Sequence, residues 1–140
     1  MKKDLMSWDV CLKEHVKRVY PDKKRISEIL KMIELRISFW NYHRFSEEYA
    51  SLVVEGYYEI IKELLVVLML REGFSSDNHE CLISFLKKNH LFLMREVSLI
   101  YQLKGVRNDI AYRGFFAKNE YLDKNRKEFD RIIVVLKKLL

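Results

Sequence analysis

The chain has 140 residues, of which 49% are hydrophobic and 33% are charged, with one proline and four glycines. This composition disfavours both a disordered chain and turn-rich β architectures, and the length suits one helical domain over residues 1–140. The formal net charge of +6 favours a phosphate-bearing partner, although lysines spread over helix faces are more often plain solvated surface.

The two cysteines, Cys11 and Cys81, lie far apart and lack the spacing of a metal site or a redox motif. This usage fits a reducing compartment and excludes a disulfide framework, so both are expected to be buried thiols. Charged residues stand where a signal peptide would be apolar, and the longest apolar run, residues 64–70, is much shorter than the roughly 20 residues that cross a bilayer. We therefore expect a cytoplasmic protein with no membrane partner.

Apolar residues at helical spacing predict three helices in the first half of the chain. The first carries Leu5, Trp8, Leu12 and Val16 and ends at Tyr20, since proline disfavours helical geometry in the residue before it. Asp22 caps the second, which extends to Tyr42. Ser46 caps the third, which runs to Arg71 before Gly73 and is apolar almost all round, so it is predicted to be central or to feed a dimer interface.

Three further helices follow a loop at residues 74–78. Asp77 and Glu80 have the spacing of a capping box for a short fourth helix, which is interrupted at Asn89-His90. A fifth helix leads from Leu93 to Gly114, and Asn119 caps a last helix with an apolar face of Phe129, Ile132, Ile133 and Leu136. No strand alternation of useful length appears. The predicted fold is all-α, a single up-and-down antiparallel bundle of four to five core helices plus an N-terminal helix.

A dense polar cluster closes the fifth helix at residues 106–114. Arg107 supplies a permanent cation whose planar fork suits a phosphate or carboxylate, and its polar neighbours can orient it. A structural interpretation is also open, in which Arg107 and Asp109 form internal ion pairs and Asn108 caps a neighbouring turn. The candidate ligand-binding residues are Arg107, Asn108, Asp109, Tyr112 and Arg113.

This stretch resembles the Arg-x4-6-His signature of HEPN domains, with Arg107 and Asn108 at the usual Arg-Asn start. Residues 48–74, which include Gly56-Tyr57-Tyr58, are similar to the HEPN helix that carries paired aromatics before a glycine loop. Residues 79–86 look like the short helix that follows. The resemblance covers about Ser46 to Leu140, and it implies a bundle that commonly forms a homodimer with two copies of the motif beside a shared cleft.

Active HEPN proteins are metal-independent ribonucleases in which the arginine binds phosphate and the histidine moves protons as the ribose 2′-OH attacks. Here the positions permitted for that histidine hold Tyr112, Arg113 and Gly114. A phenol with a pKa of about 10 is a poor general base at neutral pH. The resemblance therefore implies a non-catalytic or degenerate module, without cofactor or metal, that binds a nucleotide or RNA phosphate and works with a minimal nucleotidyltransferase.

Two alternatives stay open at this point. One is a metal-independent ribonuclease toxin of a toxin–antitoxin pair, in which Tyr112 or a distant histidine replaces the missing base. The other is a dimeric scaffold whose polar cluster is structural. His79 and His90 flank the fourth helix, but a histidine at a helix boundary is more often a cap or surface group, so neither is expected to be catalytic. Of the tyrosines, Tyr112 alone is singled out as a base-stacking candidate because of its arginine neighbours.

Overall fold

A computed structural model describes residues 4–89 and 94–140. It confirms the predicted all-α helical bundle, to which one short two-stranded sheet is added. The elements in chain order are α1 (Trp8–Glu14), β1 (Lys17–Arg18), α2 (Lys23–Asn41), a 3-10 turn (Glu47–Tyr49), α3 (Ala50–Arg71), β2 (Phe74–Ser75), α4 (His79–Asn89), α5 (Met94–Arg113) and α6 (Asn119–Leu139).

The third helix, α3, lies at the centre of the bundle, as predicted. It packs against α2, α4, α5 and α6, and buried residues follow one another along most of its length. A helix with apolar residues on nearly every side must be enclosed by other elements to remove that surface from water. The predicted apolar face of α6 is confirmed too, because Phe129, Ile132, Ile133 and Leu136 are all buried.

Helix ends follow the predicted signals in part. The Asp22 carboxylate accepts a hydrogen bond from the Arg25 backbone N–H at 3.0 Å and caps α2. Gly73 and Gly114, with φ of +89° and +67°, end α3 and α5 in the left-handed region that favours glycine. The predicted capping box at Asp77 is wrong. The Asn78 side chain caps α4 instead, since it accepts from the backbone N–H groups of residues 80 and 81.

Two other caps differ from prediction. Ser46 makes no side-chain capping bond and precedes the 3-10 turn rather than α3 itself. Asn119 is the first residue of α6, and Lys118 occupies the cap position without a side-chain bond. The predicted break at Asn89-His90 and the predicted start of the fifth helix at Leu93 involve residues 90–93, which lie outside the described residues.

The first helix is shorter than predicted, because α1 ends at Glu14 and the chain continues as β1. Strand β1 pairs antiparallel with β2, so the segment predicted as a loop contains a strand. The Val19 backbone N–H donates to the Gly73 carbonyl at 2.9 Å, and the Ser76 hydroxyl donates to the His15 carbonyl at 2.8 Å. The two sides of each contact lie far apart in the sequence, so no local pattern predicts them. Two-residue strands are also too short to show alternation in the sequence.

The cysteines are buried, but they are not thiols. Cys11 of α1 and Cys81 of α4 form a disulfide with Cα atoms 5.7 Å apart, which corrects the sequence-based expectation. The Trp8 ring packs near the rings of Phe74 and Phe85, with centroids 5.6 and 5.4 Å away, and holds α1 on α4. The packing of α1 on α4 brings together cysteines that sequence spacing leaves unrelated. None of the described helices is long and apolar enough to cross a membrane.

Candidate functional site

The Arg107 guanidinium lies between two tyrosine rings on the face of α5 that meets α3. Its Cζ atom is 5.6 Å from the centre of the Tyr58 ring and 5.7 Å from that of Tyr112. Nη2 donates to Glu59 Oε1 at 3.1 Å, and Nη1 donates to Asn108 Oδ1 at 3.3 Å and to the Tyr112 hydroxyl at 3.4 Å. The side chain is 20% exposed, so a fixed cation faces solvent from a partly desolvated position.

The nearby carboxylate, Glu59, is shared between two cations. Lys62 Nζ lies 2.6 Å from Glu59 Oε2, on the opposite oxygen from Arg107. Burial by itself would raise the pKa of the Glu59 carboxyl, but Lys62, Arg107 and Arg36 lower it below its ordinary value. Burial likewise opposes the charge of Arg107, yet the Tyr112 hydroxyl and Glu59 raise the pKa of the guanidinium. One carboxylate therefore faces two cations, so the three side chains together keep a net positive charge.

A histidine adjoins this cluster through Tyr58. His79, the first residue of α4, is partly buried, and its Nδ1 atom lies 2.9 Å from the Tyr58 hydroxyl oxygen. Burial, followed by the charges of Lys62 and Arg107, lowers the pKa of His79 below its ordinary value of 6.5. Burial raises the pKa of the Tyr58 hydroxyl, although Arg107 opposes this shift. At neutral pH both groups are uncharged, so the ring supplies one nitrogen that can donate and one that can accept.

The predicted site residues separate into two groups. Arg107, Asn108 and Tyr112 lie together, whereas Asp109 and Arg113 pair with each other elsewhere on α5, with an Oδ1 to Nη1 distance of 2.8 Å. The Arg113 side chain is 78% exposed, and its ion pair belongs to the surface. The structural interpretation expected ion pairs for Arg107 and Asp109, and each residue forms one. Arg107 pairs with Glu59 of α3, and Asp109 pairs with Arg113.

Sequence reasoning missed the half of the site that α3 and α4 supply. Tyr58, Glu59 and Lys62 stand on consecutive turns of α3, more than forty positions before Arg107. The one available signal was Gly56-Tyr57-Tyr58, which had marked a resemblance but no site. His79 was noted and given no role, because its approach to Tyr58 depends on how α4 packs against α3.

Within residues 4–89 and 94–140, no three His, Cys, Asp or Glu side chains are grouped closely enough to hold a metal ion. The fold and the site together define an all-α bundle with a cation cluster between aromatic rings. Comparison of the chain with protein-family models, with curated proteins and with solved structures gives no match.

Proposed function

We propose that this chain is a HEPN-like module that binds the phosphate of RNA or of a nucleotide through Arg107. The observation that carries the proposal is the guanidinium of Arg107, held between the rings of Tyr58 and Tyr112 and still open to solvent. A planar cation fixed in this way loses little further side-chain conformational entropy when a phosphate binds. Asn108 and Tyr112 hold its Nη1 atom in place.

The charge and donor balance around Arg107 supports an anionic ligand. Lys62 and Arg107 together outnumber the single carboxylate of Glu59. Within the described part of the chain, the protein acceptors found for the guanidinium take up three of its five N–H groups. A phosphate oxygen can accept from the others, and the exposed Tyr112 ring offers a face on which a base can stack.

The test is the binding of a fluorescein-labelled single-stranded RNA of about ten nucleotides, followed by fluorescence anisotropy at several salt concentrations. We expect the dissociation constant of wild type to rise with salt. In Arg107→Ala, the dependence of the logarithm of that constant on the logarithm of salt concentration should become shallower by the amount that corresponds to about one phosphate contact. The same variant should weaken AMP binding if a nucleotide is the ligand. Absence of both RNA and AMP binding by the wild type would replace this proposal with the scaffold interpretation.

The position of His79 favours a second candidate function, a metal-independent ribonuclease toxin. When His79 Nδ1 carries the proton and donates to the Tyr58 oxygen, Nε2 is unprotonated and can act as a base, in a ring whose pKa the charge of Arg107 helps to lower. Nε2 can then accept the proton of a ribose 2′-OH, whose oxygen bonds to the adjacent phosphorus while the bond from phosphorus to the 5′ oxygen breaks. The 5′ oxygen leaves with a proton from water, giving a 2′,3′-cyclic phosphate and a 5′-OH end.

An RNA cleavage assay in the presence of EDTA separates this candidate from the non-catalytic proposal. Cleavage by wild type that ends in 2′,3′-cyclic phosphates, and that is lost in both His79→Ala and Arg107→Ala, would overturn the non-catalytic function. RNA binding without cleavage would remove the ribonuclease. A loss of about 10² to 10⁴ in rate is the usual scale for removing a general base.

A homodimer is part of the proposal, and the outer face of α2 supports it. Four exposed apolar residues follow one another there at helical spacing: Met32, Leu35, Phe39 and Tyr42, which are 46, 63, 74 and 86% exposed. Around a two-fold axis midway between Leu35 and Phe39, an antiparallel copy of α2 sets each leucine against a phenylalanine. Met32 then meets Tyr42 in the same manner. A groove of about 470 Å³ beside this face includes Phe39 and Leu52.

Sedimentation equilibrium tests the dimer. Leu35→Asp should shift the protein from dimer to monomer, because it places a carboxylate in the proposed apolar contact. Val134→Asp, which changes a valine on α6 that is 50% exposed against 63% for Leu35, is the control and should leave the dimer intact. A monomeric wild type at micromolar concentration would contradict the proposed dimer.

The nucleotidyltransferase partner and the cytoplasmic location also belong to this proposal, whereas the toxin–antitoxin context belongs to the ribonuclease candidate. Disulfides are rare in cytosolic proteins, so the bond between Cys11 and Cys81 makes redox state the test of location. Cells are quenched with acid and alkylated with iodoacetamide before mass spectrometry of the chain. Two alkylated cysteines would support a cytoplasmic location, and an intact disulfide would contradict it.

A further inference from the structure

A second arginine cluster lies where the end of α2 meets α6. The Cζ atoms of Arg44 and Arg126 are 4.9 and 4.8 Å from the centre of the same ring, that of Phe45. Arg44 also lies over Trp40, with its Cζ atom 5.0 Å from the ring centre. Two guanidiniums over one ring are like charges that repel each other, and a nearby anion offsets that repulsion.

One carboxylate stands beside these two cations. Asp130 Oδ2 lies 2.6 Å from Arg44 Nη2, and Asp130 Oδ1 accepts from the Tyr57 hydroxyl at 2.8 Å. Both oxygens of Asp130 are thus engaged, one by Arg44 and the other by Tyr57. In residues 4–89 and 94–140, Arg126 has the Phe45 ring but no carboxylate within ion-pair distance. The cluster therefore carries one positive charge that the described protein groups leave uncompensated.

The cluster also holds unused hydrogen-bond donors. The Nε atoms of Arg44 and Arg126 are both buried, and neither has an acceptor among the described residues. A buried donor without an acceptor destabilises the fold, and more so when it belongs to a charged group. Phe45 is 72% exposed, so a ligand can reach the ring and the guanidiniums from solvent.

We propose that Arg44, Phe45 and Arg126 form a second anion site, which binds a phosphate group. A phosphate supplies several acceptor oxygens, enough to serve the N–H groups of two guanidiniums at once and to neutralise the uncompensated charge. The site is separate from that of Arg107, and the proposal does not depend on the function assigned to that residue. A nucleotide phosphate and an RNA phosphodiester share this chemistry.

The test follows the arginine Nε–Hε signals of ¹⁵N-labelled full-length protein by NMR during titration with sodium phosphate at constant ionic strength. Arg44→Lys and Arg126→Lys assign the two signals. We expect both to shift with a common saturation curve, and we expect Arg126→Ala to weaken the response of Arg44 about tenfold. Lys127→Ala, which removes one exposed charge from the neighbouring position, should leave that response unchanged.

Three results would overturn the proposal: shifts that do not saturate, shifts that sodium chloride reproduces, or an Arg44 response that is the same in Arg126→Ala and wild type. Arg126→Gln is measured in parallel, so that a folding defect in the alanine variant does not decide the result. Arg107→Ala should leave the Arg44 and Arg126 responses unchanged, which separates this site from the first. Titrations with AMP and with the single-stranded RNA then identify the source of the phosphate.

Discussion

Tyr57 and Tyr58 are consecutive residues of α3, yet their hydroxyl groups belong to two different polar clusters. The Tyr57 hydroxyl donates to Asp130 at 2.8 Å, whereas the Tyr58 hydroxyl lies 2.9 Å from His79 Nδ1, next to Arg107. Consecutive residues of an α-helix point about 100° apart around its axis, so a central helix can serve both neighbouring faces. The two proposed anion sites thus share one turn of α3.

Removing each hydroxyl separately should distinguish the two clusters energetically. We expect Tyr57→Phe to lower the free energy of unfolding by about 2 kcal/mol, since it loses a bond to the charged carboxylate of Asp130. Tyr58→Phe, which loses a bond to a neutral imidazole, should cost about 1 kcal/mol. Urea denaturation followed by circular dichroism measures both. A larger cost for Tyr58→Phe than for Tyr57→Phe would contradict the assigned partners.

Two glycines inside helices should respond in opposite directions to alanine. At Gly56 an added Cβ would lie 2.6 Å from Trp40 Cδ1, so Gly56→Ala forces the indole away and should destabilise the fold by about 1–3 kcal/mol. At Gly105, among the described residues and apart from the adjoining residues and backbone of α5 itself, no heavy atom lies within 4 Å of such a Cβ, and Gly105→Ala should stabilise α5 by about 0.5–1 kcal/mol. Thermal denaturation gives both values. Equal effects would be inconsistent with the close packing of Trp40 on α3.

The protein should lose stability in mild acid because of His79. Burial and the charges of Lys62 and Arg107 lower the pKa of His79 in the folded state, so below about pH 6.5 the unfolded chain binds the extra proton more readily. Stability contributed by the neutral ring is present above that pH and is lost as pH falls toward the lowered pKa. The Tm of wild type should therefore fall from about pH 7.5 to about pH 5.5.

His79→Gln is the control, since it removes the titrating ring and should flatten this part of the profile. The lowered pKa of Glu59 adds a further loss only at more acidic pH, below its ordinary value of 4.5, and does not interfere. Parallel profiles of Tm for wild type and His79→Gln between about pH 7.5 and about pH 5.5 would show that His79 is not the group that titrates.

Reduction of the disulfide should destabilise the chain. The bond between Cys11 and Cys81 joins residues 70 positions apart, and a loop of that length predicts a loss of about 4 kcal/mol on reduction. The corresponding fall in Tm, measured with and without a phosphine reductant, is roughly 10–15 °C. The double variant Cys11→Ala/Cys81→Ala should have the lower Tm and be insensitive to reductant. An identical Tm for wild type in both conditions, with both thiols free to alkylate, would contradict this prediction.

The sequence was informative about local features and silent about contacts between helices. The apolar periodicity of α3 and the cap at Asp22 need only neighbouring residues, and both predictions are confirmed. The disulfide and the contact between Tyr58 and His79 depend on how α4 packs, which no local pattern encodes. The short sheet was missed for the same reason. Its partners lie more than fifty positions apart.

The candidate site shows the same division. Arg107 was recognisable because a cation with Asn and Asp neighbours is costly at the end of an apolar helix, but its real partner, Glu59, belongs to another helix. Arg113 was grouped with Arg107 because the two are close in sequence. On α5 they have separate partners, since Arg113 pairs with Asp109.

We propose that Arg107, rather than the general positive charge of α5, binds the phosphate. Comparison of single-stranded RNA binding by Arg107→Ala and Arg113→Ala tests it most directly, because each removes one arginine from the same helix. We expect Arg107→Ala to weaken binding about 10- to 100-fold, as loss of charge-assisted hydrogen bonds implies, and Arg113→Ala to change it about twofold or less. Equal losses of RNA affinity in the two variants, or no loss in Arg107→Ala, would show that Arg107 is not the phosphate-binding residue.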